Sequence, residues 1–165
     1  VAACLKARFP DKLGGKTDEE IFGVGLMEIK SISNYVIEVA EDGETAKGLW
    51  LSDGHETIPL SAGKDGGVWL FNRFGVEFIR ENGMWKIWKL QMFHVSVSEY
   101  STQFTEGAPE WYKRAVPQAD APTTFHQEYD KRSHMVYWPQ IPQPYETWQG
   151  SIPMTGNWPS NISVK

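Results

Sequence analysis

The chain has 165 residues and a net charge of −5, with 41% hydrophobic and 22% charged side chains. That length suits a single domain, and the composition is that of a folded rather than a disordered chain. The acidic balance lacks the basic footprint of nucleic-acid binding, and no apolar run reaches the roughly 18 residues of a membrane span. The one cysteine, Cys4, excludes an intrachain disulfide and has no metal-site spacing around it, so we expect a cytoplasmic protein.

The first 23 residues are expected to form a helix remnant and a loop. A Gly-Gly pair at 14–15 interrupts the pattern, and Thr17 followed by three acidic residues has the capping hydroxyl and the carboxylates of a short helix start. The chain opens on Val1 rather than on Met, and we expect a separate N-terminal segment to precede it.

From residue 26 the hydrophobic period changes to two, which is typical of strands. β-branched and aromatic residues alternate with turn signals and predict an antiparallel meander. The turns are an acidic-Gly turn at 41–44, a Gly-rich loop over 53–67 and the Asn82-Gly83 pair, the strongest hairpin signal in the chain. The predicted strands are Ile29–Val39, Thr45–Ser52, Val68–Arg80 and Met84–Val97.

The composition changes after Ser98. Eight of the ten prolines lie there, together with four tryptophans. Proline disfavours helices and central strands, whereas a disordered tail rarely carries so many tryptophans. We therefore predict that residues 99–165 form an extended arm that packs on the sheet or on a neighbouring subunit, with one helical turn at 110–115.

A sheet of this kind needs a layer that covers its apolar face. Few stretches of the sequence have the pattern of a long helix. We expect the cover to come from a preceding segment, from a partner chain or from the arm.

Three stretches of the predicted meander share a known signature. Residues 37–50 (IEVAEDGETAKGLW) combine a strand, an acidic-Gly turn, Thr-Ala-Lys and an aromatic strand. Residues 69–78 (WLFNRFGVEF) place an Arg within an aromatic strand, and residues 81–88 (ENGMWKIW) supply the following turn and strand. Over about residues 24–98 the chain resembles the SnoaL-like branch of the nuclear transport factor 2-like superfamily.

This resemblance implies an α+β fold in which a strongly curved antiparallel sheet, a cone or half-barrel, packs on helices and has a pocket at its mouth. Residues 1–98 would be the cone domain without its N-terminal helices, and residues 99–165 would be the arm. Members often carry a His shortly before the position of Asn34, where this chain has Lys30 and Ser31. The catalytic Tyr and Asp of many relatives belong to earlier elements, which cannot be placed on this sequence.

Two histidines are candidates for proton transfer, since the ordinary pKa of histidine is near 6.5. Strand alternation places His94 on one face with Trp88, Leu90 and Met92, as in the wall of an apolar pocket. His55 follows a turn at a strand end and would handle a second proton at the pocket mouth. The alternatives are a hydrogen-bonded structural role for His94 and a solvent-facing loop position for His55.

Arg73 and Asn72 are candidates for stabilising a developing oxyanion. An ion pair between Arg73 and Glu77, and a structural amide at position 72, are the alternatives. Aromatic residues make up 13% of the chain and could form either a core of large side chains or a pocket for a flat apolar ligand. The candidate substrate-binding residues are Trp69, Phe71, Trp88, Met92 and Tyr35.

The sequence has no phosphate-binding loop, dinucleotide fingerprint or nucleophile elbow, so we expect no cofactor and no metal. The residues and the resemblance together predict a small-molecule-binding protein, a dehydratase, isomerase or cyclase acting on a hydrophobic ring-containing substrate. The alternative is a non-catalytic module for ligand binding or oligomer assembly. Expected partners are a small hydrophobic ligand and further copies of the chain in a dimer or trimer, without nucleic acid or membrane.

Overall fold

A computed structural model describes residues 2–59, 62–63, 66–113, 129, 131–132, 134–135 and 137–156. The fold is α+β and sheet-dominated, as predicted, with one five-stranded antiparallel sheet and few helices. No helix in these ranges is long and apolar enough to cross a membrane. The helices are α1 (Ala2–Arg8), α2 (Pro10–Leu13), α3 (Asp18–Ile21) and a 3-10 helix at Phe104–Glu106. The strands are β1 (Glu28–Lys30), β2 (Ser33–Val39), β3 (Thr45–Thr57), β4 (Gly67–Glu81) and β5 (Met84–Glu99).

The sheet confirms the predicted meander and divides its first strand. β3, β4 and β5 pair in sequence order, while β1 and β2 lie end to end along the other edge of β3. The division falls at residues 31–32, and Asn34 has a φ of 47° where the register of β2 shifts. Splitting the strand lets each piece follow its own part of the longer β3.

The prediction that β3 ends at Ser52 was wrong, because Asp53 and Gly54 continue the strand. A Cβ added at Gly54 would lie 2.4 Å from the Ile29 carbonyl oxygen. Glycine is needed here because the paired strand β1 approaches it closely, not because the chain turns.

Local signals for turns and caps are confirmed. Asn82 and Gly83 both have positive φ, 52° and 78°, as in the primed turn that joins two twisted strands. The Thr17 hydroxyl accepts a hydrogen bond from the Glu20 amide, and the Glu20 carboxylate accepts one from the Thr17 amide. This reciprocal capping box starts α3.

Two bulges in β5 break the predicted side-chain alternation. The register shifts between Phe71 and Asn72 and again between Glu77 and Phe78. Each shift leaves one residue of β5 without a cross-strand partner, Val95 at the first and Trp88 at the second. The prediction that Trp88 shares a face with His94 was therefore wrong.

Different parts of the chain pack on the two faces of the sheet. We call the face that bears Asn72 and His94 the helix face, and the face that bears Arg73 and Glu77 the segment face. On the helix face, α2, α3 and residues 108–112 bury two apolar clusters. Their buried members are Val68, Leu70, Val97, Ala108 and Tyr112 in one cluster, and Leu13, Ile21, Ile58 and Ala62 in the other.

Residues 137–156, which we call the C-terminal segment, pack on the segment face through a buried carboxylate. Glu77 is fully buried, and its Oε1 accepts hydrogen bonds from the backbone amides of Met154 at 2.8 Å and Thr155 at 3.3 Å. Lys89 Nζ lies 3.3 Å from the other oxygen, Oε2, as an ion pair without hydrogen-bond geometry. A Cβ at Gly75 would lie 1.8 Å from the Met154 carbonyl oxygen, so this glycine permits the close approach.

Lys47 lies directly across from Glu77 on β3 and also holds the C-terminal segment. Its ammonium donates to the Ser151 hydroxyl and, at 2.7 Å, to the Ile152 carbonyl oxygen. Burial lowers the pKa of Lys47 to about 8, although the charge of Glu77 acts in the opposite direction. One buried carboxylate and one buried amine thus both hold the segment on the sheet.

Replacing Glu77 tests this attachment. We expect Glu77→Gln to lower the free energy of unfolding by about 3 kcal/mol, because the amide still accepts a hydrogen bond but leaves two lysines without their counter-ion. Urea denaturation measures the change, and hydrogen exchange at the Met154 amide should accelerate. The control is Glu81→Gln, which removes an exposed ion pair with Lys86 worth less than about 1 kcal/mol. Equal losses in the two variants would contradict the attachment.

Candidate functional site

A cavity of about 320 Å³ lies between α1 and the helix face of the sheet. Its walls come from α1, from the edge strands β1 and β5, from the end of β3 and from the turn after the 3-10 helix. The lining residues are Cys4, Leu5, Arg8, Leu26, Met27, Glu28, Lys30, Glu56, Thr57, Met92, His94 and Tyr112. Apolar and ionisable groups therefore meet around a space large enough for a small molecule.

His94 is held between two polar side chains at the wall of this cavity. Its Nδ1 lies 2.6 Å from Oδ1 of Asn72, its cross-strand partner, and its Nε2 lies 3.4 Å from the Tyr112 hydroxyl. Because an amide oxygen only accepts, Nδ1 carries the proton in the neutral ring. The lone pair on Nε2 then faces Tyr112, and this nitrogen is the one that can accept a proton.

The Tyr112 phenol remains protonated in this setting. Burial raises its pKa, the charge of Glu56 raises it further, and Arg8 opposes both. The Arg8 guanidinium carbon lies 4.0 Å from the centre of the Tyr112 ring. Tyr112 can therefore act as a hydrogen-bond donor over the whole physiological pH range.

A small polar cluster supports His94 from within the sheet. Ser52 and Asn72 are paired across β3 and β4, and each is at most 3% exposed. The Ser52 hydroxyl and the Asn72 amide nitrogen have no hydrogen-bond partner in the described ranges. Buried polar groups of this kind are costly, so their presence beside His94 favours a role in positioning it.

The charged residues of the cavity wall neutralise one another. Lys30 Nζ binds Glu56 Oε1 at 2.7 Å and also binds Glu28. Burial alone would lower the pKa of Lys30, but the hydrogen bonds to the two carboxylates outweigh it and the pKa is raised. With Arg8, the lining holds two cations and two carboxylates, a balance that favours an uncharged ligand.

Three of the nine candidate residues come together: His94 and Met92 line this cavity, and Asn72 binds His94 from within the sheet. Arg73 and Phe71 lie on the segment face, on the other side of the sheet, so Arg73 does not meet His94. The suggested ion pair between Arg73 and Glu77 is not formed, because Glu77 binds Met154 and Lys89 instead.

The other four candidates lie away from His94. His55 packs against Trp69 on the segment face, with ring centroids 4.2 Å apart, and Tyr100 packs against the same Trp at 4.8 Å. The Trp88 bulge turns its ring towards Trp148, 4.9 Å away. Tyr35 is 69% exposed in the irregular part of β2.

The sequence reasoning missed Tyr112, Arg8 and Glu56. Tyr112 falls in the predicted arm, where only a helical turn at 110–115 was expected; the described part of that stretch, 110–113, forms a turn. The neighbouring Trp111-Tyr112 pair was the one available signal, since two adjacent aromatics in a turn usually bury at least one ring.

The function of this site has to be inferred from its residues, because the comparisons with known proteins found no match: no protein-family model and no curated protein matches the chain. Within the ranges that the structure describes, no group of three or more His, Cys, Asp or Glu side chains could hold a metal ion.

The buried phenol predicts a specific response to alkali. A raised pKa means that folded Tyr112 keeps the proton that the unfolded chain releases near pH 10, so stability should fall as the pH rises through about 10. We expect Tyr112→Phe to lose less free energy of unfolding between about pH 9 and pH 11 than the wild type. Denaturation at several pH values measures this, and Tyr100→Phe, which removes an exposed phenol, is the control. Parallel curves for wild type and Tyr112→Phe would contradict the assignment.

Proposed function

We propose that the protein is a SnoaL-like cone protein that binds a neutral, hydrophobic, ring-containing molecule in the cavity of the helix face and catalyses a cofactor-independent proton transfer. The observation that carries this proposal is His94, fixed by Asn72 with Nε2 directed at Tyr112 in the cavity wall. A dehydratase, isomerase or cyclase uses a base and a nearby hydrogen-bond donor in this way.

The proposed chemistry follows from the two side chains. His94 Nε2 removes a proton from the carbon next to a ligand carbonyl, and the C–H electron pair forms the enolate. The Tyr112 hydroxyl donates to the enolate oxygen, where negative charge develops. The imidazolium then returns its proton to another carbon, which is isomerisation, or to a departing hydroxyl that leaves as water, which is dehydration.

The long distance between the Tyr112 hydroxyl and His94 Nε2 allows a ligand to replace this contact. At 3.4 Å the contact is long for a hydrogen bond from a hydroxyl, so a ligand oxygen can replace it at little cost. Asn72 is a positioning residue in this scheme because it fixes the tautomer of His94 through Nδ1 and does not line the cavity.

The position of the outer strands supports the proposed cone. β1 contributes Glu28 and Lys30 to the cavity, and β5 contributes Met92 and His94. These strands are three positions apart in the sheet, about 14 Å if the sheet were flat. A sheet that curls around residues 2–22, aided by the β5 bulges, would bring both strands to one small cavity, with residues 99–165 as an arm outside it.

Deuterium exchange tests the proton transfer without knowledge of the substrate. The probe is 2-tetralone, a neutral ring ketone whose α-protons exchange into D2O and are followed by NMR. We expect the wild type to accelerate exchange and His94→Ala to lose at least about 100-fold of that acceleration. Tyr112→Phe should also slow exchange, whereas His55→Ala, a histidine on the segment face, should not.

Two results would overturn this function. One is exchange at the buffer rate for 2-tetralone, cyclohexanone and 2-cyclohexenone alike. The other is unchanged exchange in folded His94→Ala, with folding verified by circular dichroism.

A second candidate function, assembly of identical subunits, has its own observation. Trp69 and Tyr100 pack together on the segment face, Phe71 lies two residues along β4 on the same face, and the three are 39%, 56% and 48% exposed. Contiguous exposed apolar surface of this kind marks interaction sites. We propose a second copy of the chain as the occupant, in the dimer or trimer expected from the sequence.

Sedimentation velocity tests the assembly. We expect the wild type to sediment as an oligomer and Trp69→Glu to sediment as a monomer, because a buried carboxylate in the apolar contact has no partner. Trp85→Glu is the control, since Trp85 is 45% exposed but lies beside the β4–β5 turn. A monomeric wild type at micromolar concentration would contradict assembly.

A further inference from the structure

A second, larger cavity lies on the segment face, between the sheet and the C-terminal segment. Its volume is about 560 Å³, and the sheet separates it from the cavity of His94. Leu49, Leu51, Phe71 and Arg73 contribute from the sheet, and Tyr137 and Ile141 contribute from the C-terminal segment. Most of the lining surface is apolar; Arg73 and Asp53 are its charged residues, and Ser52 and Asn72 also border it.

The Arg73 guanidinium is buried without a counter-ion. The residue is only 8% exposed, no carboxylate oxygen in the described ranges lies within ion-pair distance of it, and its Nε has no hydrogen-bond partner there. Its contact is with the Tyr137 ring, whose centre lies 5.2 Å from the guanidinium carbon. Arginine remains charged in proteins, so a buried guanidinium of this kind is costly unless an anion reaches it.

Neither neighbouring carboxylate supplies that anion. Asp53 also lines the cavity, but it is exposed and pairs with Phe71, two register positions beyond the Arg73–Leu51 pair. Glu77 lies further along β4 and is already occupied by Met154 and Lys89. Burial also lowers the pKa of Arg73, the direction expected of a cation without a counter-ion.

We propose that this cavity is a binding site for a monocarboxylate with a short apolar chain or ring. The carboxylate would accept two hydrogen bonds from the Nε edge of Arg73, the planar geometry that a guanidinium offers. The apolar part would lie along Leu49, Leu51 and Ile141 beneath the Tyr137 ring. A carboxylate fits better than a phosphate because the lining has one cation, the nearby Asp53 disfavours a dianion, and the remaining walls are largely hydrocarbon.

This site does not include His94, although Asn72, which binds His94, also borders it. Arg73 and the adjacent Asn72 point to opposite faces of β4, so a ligand on Arg73 does not touch His94. The protein would therefore hold two ligands of different charge on the two sides of one sheet.

Calorimetric titration of the full chain with hexanoate tests the site. We expect saturable binding to the wild type and at least a tenfold weaker affinity for Arg73→Met, which keeps the unbranched apolar stem of the side chain but not the guanidinium. Arg73→Lys keeps the charge without the planar edge and should bind with intermediate affinity. Arg80→Met is the matched control, an exposed arginine on the same strand, and His94→Ala tests independence from the other cavity; both should bind as the wild type does.

Thermal unfolding supplies a second readout. Without ligand, Arg73→Met should unfold at the same temperature as the wild type or higher, because it removes a buried charge; hexanoate should raise the unfolding temperature of the wild type only. Hexanol and inorganic phosphate are the ligand controls, and neither should show binding that depends on Arg73.

Should Arg73→Met not fold, the affinity of Arg73→Lys and the NMR shifts of Tyr137 and Ile141 in the wild type decide the question. Hexanoate binding that is absent, that survives the loss of Arg73 in a folded variant or that phosphate matches would overturn the proposal.

Discussion

The buried Glu77 carboxylate is the constraint on which the arrangement of this protein depends. Burying a carboxylate in a dry interior is costly unless donors and cations surround it. Here the Met154 and Thr155 amides and the Lys89 ammonium meet that requirement, with Lys47 across the strand. Residues 137–156 therefore lie on the segment face, and a sheet that would otherwise have one covered face has two.

Covering both faces creates two cavities with different chemistry. The helices and Tyr112 enclose one on the helix face, where charges balance and His94 offers a proton acceptor. The C-terminal segment encloses the other, where the charge of Arg73 is not balanced by a carboxylate in the described ranges. The pleat of a single strand separates them, since the adjacent residues 72 and 73 point in opposite directions.

The sequence predicts the features that depend on neighbouring residues. The Asn82-Gly83 turn, the capping box of Thr17 and the succession of antiparallel strands all follow from short-range rules, and the structure confirms them. Each of these signals lies within a few residues of the structure that it specifies. Local reasoning therefore succeeds for the hairpin turn at Asn82-Gly83, the helix cap at Thr17 and the strand order.

Features that depend on distant contacts could not be predicted in this way. The bulge at Trp88 is defined by pairing with β4, and Gly54 was taken for a turn because the close passage of β1 leaves no local signal. Likewise, Arg73 and Glu77 share a face, as an ion pair would require. Glu77 binds Met154 of the C-terminal segment instead, 77 residues away in sequence. Tyr112 reaches His94 only through the packing of its turn on the sheet.

The Lys47 amine, which helps to hold the C-terminal segment, differs from the surface lysines in its pKa and therefore in its reactivity. With a pKa of about 8, close to half of these side chains are uncharged in mildly alkaline solution, whereas an exposed lysine remains almost wholly protonated. The group also borders an opening of about 540 Å³ beneath residues 140–154. At that pH the chain thus carries a nucleophilic nitrogen at an internal position, so acylating or carbonyl reagents small enough to enter can distinguish this lysine from those on the surface.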